Sequence, residues 1–362
     1  MDKKVIALIA VVAVVVVAVA AVFVLNNGGD DDSDDGVKDA AGNIIKPIEN
    51  PGRIATTTNV GAELLSDLGF MSNIVGITSP SSSYDVENHI VGIDMEFVYP
   101  GTLAADLDSG KIQSVGRYFG WSAETVAAVN PEVVIIDYNQ ISSDDSKMKQ
   151  LQSLGLTVIV LDTDYGFPSI LKNYTMLGKI FKKEAEAEKL VDAMQKAYDK
   201  VKEVVKKSDL AGKKFALISH CPPYGDYSYG KHAVISLLED CGLVNAMPSG
   251  GQASQSISLG EALASANPDF VIFEDMGMSL IWSDVIAGWK SDDVMGSIDC
   301  IKNDKFYCLE YKPFQSFYHT KQAINGYALV GAIVNPEDTG VTVPNIVTSA
   351  AWTDYIQWLD EY

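Results

Sequence analysis

Aromatic and hydroxyl-bearing residues concentrate in short segments that follow apolar runs typical of buried strands. Residues 117–121, 138–140 and 314–319 are examples. Aromatic faces bind flat or apolar rings, and a few polar groups fix the orientation of the bound molecule. The chemistry indicated is non-covalent binding of a small molecule. The candidate ligand-binding residues are Tyr84, Arg117, Tyr118, Trp121, Tyr138, Tyr224, Tyr227, Tyr229, Trp282, Phe317 and His319.

Any one of these aromatics could instead pack in the core. Six of them stand beside glycine or polar neighbours, where a buried strand would not place them, and these six are favoured for binding. They are Tyr118, Trp121, Tyr224, Tyr227, Tyr229 and Trp282.

Histidine and arginine side chains add two further kinds of chemistry. His220 and His319 could each ligate the metal of a bound chelate, although a polar loop residue is the commoner role. Arg117 is one of two arginines in the chain, and it could pair either with an anionic ligand or with a surface carboxylate. Four histidines in all also allow a site for a bare metal ion, but they define no ligand set.

Motifs for catalysis are missing from the sequence. It contains no Gly-x-Ser-x-Gly, no His-Glu-x-x-His, no phosphate-binding glycine loop and no Gly-x-Gly-x-x-Gly. A pair of catalytic carboxylates stays open, because acidic residues are plentiful. We expect a protein that is not an enzyme. The formal net charge of −21 also argues against a nucleic-acid partner.

Two stretches of the chain repeat each other. Glu124 stands six residues before Asn130-Pro131, and Glu261 stands six residues before Asn267-Pro268. Each copy is typical of a capped short helix, a turn and a buried strand. A glutamate in the first helical turn can simply stabilise the helix, because its negative charge interacts favourably with the helix dipole at the N-terminus. The matched positions nevertheless indicate two similar lobes, each presenting one of these glutamates.

Apolar strand-like runs alternate with short helical patterns through most of the chain, which predicts an α/β fold with mainly parallel sheets. Between residues 168 and 208 the alternation stops, and apolar residues recur at helical spacing. We therefore predict lobe 1 at 37–167, a connecting segment at 168–208 made of one long helix or two nearly continuous ones, and lobe 2 at 209–362.

The N-terminus differs in composition from the rest. Residues 1–25 hold two lysines followed by 21 residues without a polar side chain. That length suits a membrane anchor better than the shorter apolar core of a cleaved signal peptide, which is the alternative. The lysines would remain in the cytoplasm, so the rest of the chain is expected outside it. Residues 26–36 form an acidic linker.

Four cysteines, Cys221, Cys241, Cys300 and Cys308, lie in the second half. An even number outside the cell allows two disulfides with three alternative pairings. A zinc site is less well supported by the spacing, and buried free thiols are the third interpretation.

From about residue 37 to its end, the chain resembles the substrate-binding proteins of ABC importers for ferric siderophores, haem and cobalamin. The order of several segments carries the resemblance. They are the opening segment from Asp39 to Ile54, Glu63 to Gly69 with Ile74 to Ile77, the two Glu-to-Asn-Pro repeats, the helical stretch, Tyr229 to Ala246, and Ala328 to Glu337.

The resemblance implies two Rossmann-like lobes joined by one long α-helix, with a ligand cleft between the lobes. It implies that Glu124 and Glu261 dock on arginines of the permease, so that the partners are permease and ATPase subunits. The implied ligand is a corrinoid or a ferric siderophore, then haem, with no intrinsic cofactor. We expect an extracytoplasmic monomer. A surface sensor or scavenger, or a protein for free metal ions, is the alternative.

Overall fold

The chain is built around two β-sheets. The computed structural model describes residues 36–78, 101–118, 120–163, 166–222, 224–247, 254–275, 280–315 and 320–359. The predicted ligand-binding residues Tyr84, Phe317 and His319 lie outside these ranges, as do segment 1–25 and all but the last residue of the linker. Within the described ranges, no helix is both long and apolar enough to cross a bilayer.

The first sheet is entirely parallel. A small antiparallel hairpin of β1 (Val37–Lys38) and β2 (Ile44–Ile45) precedes it. The five strands follow the order β5-β4-β3-β6-β7. They are β3 (Ile54–Thr56), β4 (Ile74–Ile77), β5 (Gln113–Ser114), β6 (Val133–Asp137) and β7 (Thr157–Leu161). All residues of β6 are buried, as expected for an inner parallel strand that is covered on both faces.

The second sheet has seven strands in the order β11-β9-β8-β12-β13-β14, with β10 paired to β8. The strands are β8 (Lys214–Cys221), β9 (Gly225–Tyr229), β10 (Val244–Asn245), β11 (Ser254–Ile257), β12 (Phe270–Glu274), β13 (Phe306–Leu309) and β14 (Ile346–Val347). The pairs β8–β9 and β9–β11 are antiparallel, and the others are parallel. The predicted α/β class with mainly parallel sheets is confirmed.

Helices connect these strands. They are α1 (Asn59–Asp67), α2 (Leu103–Asp108), α3 (Ala123–Ala128), α4 (Ser146–Ser153), α5 (Phe167–Ile180), α6 (Glu184–Lys206), α7 (Ala233–Asp240), α8 (Leu259–Ala266), α9 (Trp282–Ser291), α10 (Asp299–Lys302), α11 (Tyr311–Gln315), α12 (Ala323–Val334) and α13 (Pro336–Thr339).

The segment predicted at 168–208 as one long helix or two nearly continuous ones forms two helices, and these pack side by side instead of continuing one another. Lys182, with a φ of 53°, turns the chain between them. A Cβ built on Gly178 of α5 would lie 2.5 Å from the Cβ of Ala187 in α6. Phe167 stacks on Tyr198 with ring centroids 4.0 Å apart. Both pairs are symmetric about the turn, so α5 and α6 run antiparallel, and only α6 leads into the second sheet.

One hydrophobic core serves both sheets. It contains Ile135 of β6 and Ile272 of β12, both fully buried. Within this core the ring of Tyr327 from α12 meets Phe167 and Tyr198, with centroid distances of 5.9 Å and 5.1 Å. Two further clusters cover the outer faces of the sheets. The boundaries proposed for lobe 1, the connection and lobe 2 stay a prediction.

The repeated segments adopt matching structures. After α3 and α8 the chain passes through an asparagine with positive φ, 50° at Asn130 and 45° at Asn267. Asparagine tolerates this left-handed conformation better than most residues. Glu132 then accepts a hydrogen bond from the N–H of Gly52 at 2.9 Å, and Asp269 accepts one from the N–H of Lys214 at 2.7 Å. The sequence repeat therefore corresponds to the same helix–turn–strand unit in each sheet.

All four cysteines are free and buried, so the disulfide prediction is not met and the third interpretation holds. Burial raises the pKa of Cys300 to about 11, and burial also raises the pKa of Cys308 well above its usual value. Both thiols stay protonated at neutral pH, which makes them unreactive. Within the described residues, no group of three or more His, Cys, Asp or Glu side chains is placed to hold a metal ion.

Candidate functional site

The carboxyl ends of the strands in the first sheet meet at one edge, and a polar network lies there. The hydroxyl of Tyr118, after β5, donates to Oδ2 of Asp137 at 2.7 Å. The hydroxyl of Thr57, after β3, donates to Oε1 of Gln140 at 2.6 Å, and Nε2 of Gln140 donates back to the carbonyl of Thr57 at 2.9 Å. Nε2 of Gln140 also donates to the Tyr118 carbonyl. The loops after β3, β5 and β6 are thus tied together.

Asp137 is the buried centre of this network. Burial raises the pKa of its carboxyl, and hydrogen bonds from Tyr118 and from the N–H of Asn139, together with the nearby Thr163 hydroxyl, oppose that rise. The side chain is 4% exposed, so its hydrogen bonds are shielded from water and hold the Tyr118 ring firmly. Sequence reasoning did not single out Asp137. An acid that ends an otherwise apolar strand run was the available signal.

Two predicted ligand-binding residues flank the network at the surface. Tyr138, which directly follows β6, has 42% of its surface exposed. Arg117 is also exposed, while Tyr118 is half-buried. This edge therefore presents the solvent-exposed ring of Tyr138, the ring of Tyr118 held by hydrogen bonds, and the cationic side chain of Arg117, the residue before Tyr118. That combination suits a ring system carrying negative charge.

Trp121 does not share this exposure. It is 1% exposed and packs in the outer core of the first sheet with Val115 and Val126. The Nζ of Lys147 lies 4.9 Å from the ring centroid. Core packing, the alternative weighed for these aromatics, fits Trp121.

The second sheet presents a tyrosine-rich edge around the turn from β8 to β9. Tyr224 is 47% exposed, and the hydroxyl of Tyr227 donates to its carbonyl at 3.2 Å. Tyr229 is half-buried, with its ring 5.2 Å from that of His232. Of the three predicted tyrosines, Tyr224 has the most accessible ring.

The ring of His220 packs near two tryptophan rings on the other face of β8. Its Nδ1 contacts Oδ1 of Asp226, and its ring is 5.9 Å from Trp282 and 5.3 Å from Trp289. Trp282 is itself only 2% exposed. Core packing therefore fits Trp282 as well, and its predicted ligand contact has no open ring face to support it.

Glu274, at the end of β12, is a second buried carboxyl. Its exposure is 0%, and neither oxygen makes a hydrogen bond within the described part of the chain. Burial raises the pKa of Glu274 well above its usual value, and the Tyr229 hydroxyl offsets part of that rise. Burial therefore favours the protonated, neutral form of this carboxyl.

Glu124 and Glu261 both lie exposed in the first turn of their helices. Ser122 caps α3 in a reciprocal arrangement with Thr125, whereas Ser258 makes no side-chain cap to α8. The helix N–H groups and Ser122 hold the pKa of Glu124 below its usual value. Both glutamates remain available to a partner, and nothing in their surroundings tests the docking role.

Comparison with known proteins places this geometry in a family. A profile described as periplasmic binding protein matches residues 54–312. The chain belongs to this family. The resemblance inferred from the sequence is thereby confirmed. A relative described as the uncharacterized ABC transporter substrate-binding lipoprotein YvrC of Bacillus subtilis is 21% identical over 272 residues, which cover 75% of this chain and 76% of that protein.

Solved structures of periplasmic binding proteins share the fold. S. aureus IsdE complexed with heme has a TM-score of 0.61 and 19% identity, over 79% of this chain and 99% of that one. A protein described as an ABC-type Fe3+-hydroxamate transport system from Saccharomonospora viridis has a TM-score of 0.59 and 16% identity, over 81% and 96%. At such identities the likeness shows the fold alone. The relatives named here are binding or transport proteins rather than enzymes.

Proposed function

We propose that this protein is the extracytoplasmic substrate-binding component of an ABC importer, held at the membrane by its N-terminal segment. The proposed ligand is a chelated metal compound. A ferric siderophore or haem is favoured over a corrinoid, because relatives of the same fold are described as binding heme or transporting Fe3+-hydroxamate. A permease and an ATPase would be its partners.

The observation that carries the proposal is the edge of the first sheet with Tyr118, Tyr138 and Arg117. Asp137 and Gln140 fix the position of Tyr118, so little conformational entropy is lost when a ligand packs against it. The exposed ring of Tyr138 adds an apolar face. The guanidinium of Arg117 suits the carboxylates of haem or of an anionic siderophore.

Tyr224 supports the same function from the second sheet. It is exposed at the turn where β8 ends, and ligands of α/β proteins bind outside the carboxyl ends of the strands. A ligand held between the two edges would contact tyrosines from both sheets.

Binding can be tested with the full-length protein in detergent. Haemin, a ferric trihydroxamate and cyanocobalamin are titrated separately, with intrinsic fluorescence as the readout. We expect one of the iron compounds to bind with a dissociation constant of about 1 µM or lower. Tyr138→Ala should weaken that binding about fivefold, since one aromatic contact contributes about 1 kcal/mol.

Leu154→Ala is the matched control. Leu154 is 59% exposed, but it precedes β7 and so lies at the opposite edge of the sheet. Its replacement should leave the dissociation constant unchanged. Absence of binding by all three compounds would refute the ligand class, and binding of cyanocobalamin alone would reassign the ligand to a corrinoid.

A further inference from the structure

A polar cluster joins α1, which lies between β3 and β4 of the first sheet, to the start of α12, which lies between β13 and β14 of the second. Nζ of Lys321 contacts Oδ1 of Asp67 at 2.5 Å. The hydroxyl of Tyr174 in α5 donates to Oδ2 of Asp67 at 2.6 Å and accepts from the N–H of Lys321 at 3.3 Å. We call this cluster the α1–α12 junction; its members are Glu63, Asp67, Tyr174, Thr320, Lys321 and Gln322.

Glu63 occupies the least satisfied position in the junction. It is 7% exposed. Nε2 of Gln322 donates to its Oε2 at 3.3 Å, while its Oε1 is buried and has no hydrogen-bond partner among the described residues. Lys321 already contacts Asp67, one helical turn away. A negative charge on Glu63 would therefore be buried and only partly compensated.

The surrounding groups set the protonation of Glu63. Burial raises its pKa to about 7, and Asp67 adds to the rise, whereas Thr320, Lys321 and Gln322 oppose it. The charged or titratable groups that face it are Asp67 from its own helix, Tyr174 from α5 and Lys321 from the segment before α12. Burial, followed by Asp67 and Glu63, raises the pKa of Tyr174 well above its usual value, so the phenol does not titrate in this range.

The junction is also connected to the candidate binding edge. α1 begins directly after Thr57 and Thr58, and Thr57 exchanges two hydrogen bonds with Gln140 in the network around Tyr118. A displacement of α1 would therefore shift Thr57 and disturb its hydrogen bonds with Gln140. The junction and the ligand-binding edge thus share one strand–helix unit, β3–α1.

We propose that the α1–α12 junction is a proton-dependent joint between the two sheet-bearing halves of the protein. With a proton on Glu63 the joint holds α1 against the start of α12. Loss of the proton loosens the joint and lowers the retention of ligand at the edge of the first sheet. This last step rests on the proposed function, whereas the joint itself does not.

Hydrogen–deuterium exchange of the full-length protein in detergent tests the joint without any ligand. Amides of residues 59–68 and 320–326 are followed from about pH 6 to about pH 8.5, after correction for the intrinsic pH dependence of exchange. Wild-type protection should fall by about tenfold, the change expected by linkage for a carboxyl with a pKa of about 7 in the closed junction and 4.5 when the junction is open. Glu63→Gln should remove this dependence.

Two further variants control the measurement. Glu203→Gln makes the same chemical change at an exposed position of α6 and should keep the wild-type profile. Asp67→Asn removes the contact with Lys321 and should lower protection at every pH. Flat protection in the wild type, or an unchanged pH dependence in Glu63→Gln, would overturn the joint.

The ligand step uses the same variants with haemin and the ferric trihydroxamate. Dividing the dissociation constant of wild type by that of Glu63→Gln cancels any effect of pH on the probes themselves, since both proteins experience it equally. This ratio should rise by up to about tenfold between about pH 6 and about pH 8.5, the largest change in the closed population that these pKa values allow. A constant ratio would overturn the ligand step. Failure of both probes to bind at any pH would count against the proposed function, and the exchange data would still decide on the joint.

Discussion

Replacing Glu63 with glutamine should change how the stability of the whole protein depends on pH. The pKa of this carboxyl rises from 4.5 to about 7 on folding, chiefly through burial. One pKa unit corresponds to about 1.4 kcal/mol. The side chain is 7% exposed, so solvent screening takes little away, and ionisation of Glu63 should lower the free energy of unfolding by about 3 kcal/mol.

The direction follows from the order in which the two states lose the proton. Below pH 4.5 the carboxyl is protonated in both the folded and the unfolded chain, and its full contribution is present. Between 4.5 and about 7 the unfolded chain ionises first, so stability falls as the pH rises. Above about 7 both states are ionised and the loss is complete. Glutamine keeps a similar shape and cannot ionise.

Urea unfolding of wild type, Glu63→Gln and the control Glu203→Gln, followed by tryptophan fluorescence, measures this effect. The free energy of unfolding of Glu63→Gln minus that of wild type should grow by about 3 kcal/mol from about pH 4.5 to about pH 8. Glu203→Gln should differ from wild type by less than about 0.5 kcal/mol throughout. A difference between Glu63→Gln and wild type that stays constant over this range would refute the reasoning.

Three further predictions test other parts of the structure. Gly178→Ala should lower the free energy of unfolding by about 1–3 kcal/mol, because the new Cβ would lie 2.5 Å from that of Ala187. In a double-mutant cycle, Ala187→Gly should restore part of this loss. A Gly178→Ala variant more stable than wild type would disprove the antiparallel packing of α5 and α6. Asp39→Ala should cost about 2–4 kcal/mol in urea unfolding, since the carboxylate accepts from three backbone N–H groups at 2.8–3.0 Å; an unchanged midpoint would contradict this. Reversing Glu124 and Glu261 together to lysine should abolish cellular uptake of the bound chelate while its dissociation constant stays the same, and undiminished uptake would rule out docking through these residues.

The parallel sheets could be predicted because strands covered on both faces appear in sequence as short apolar runs. The run at Val133–Asp137 is one of them, and all of it is buried. The repeated Asn-Pro pairs were similarly informative, since asparagine takes up the left-handed turn in both copies. These patterns involve residues that are close in sequence, and the folded structure keeps the local conformations that they predict.

The break between α5 and α6 carries no such signal. Neither glycine nor proline marks the turn, and Lys182 adopts a positive φ that lysine rarely takes. Close packing of Gly178 against Ala187 accompanies that conformation. Tertiary contacts therefore fold back a segment whose helical spacing predicted one long helix or two nearly continuous ones.

The candidate site was predictable only in part. Tyr138 and Tyr224 are exposed as expected, but Trp121 and Trp282 are buried. Polar and glycine neighbours in sequence do not reveal which side chains cover a ring in space. The junction around Glu63 was missed for the same reason, because Lys321 stands 254 residues after Asp67. Pairs so distant in sequence are created by the fold.

Tyr327 completes the ring cluster with Phe167 and Tyr198 from a helix near the end of the chain. A growing polypeptide that stops before α12 therefore has the paired helices α5 and α6 but lacks the element that covers them. The apolar faces of these two helices stay exposed to water until α12 has been synthesised, even if the first sheet assembles early. Products truncated near their C-terminus should consequently be bound by chaperones or degraded, since neither half can shield its own hydrophobic surface.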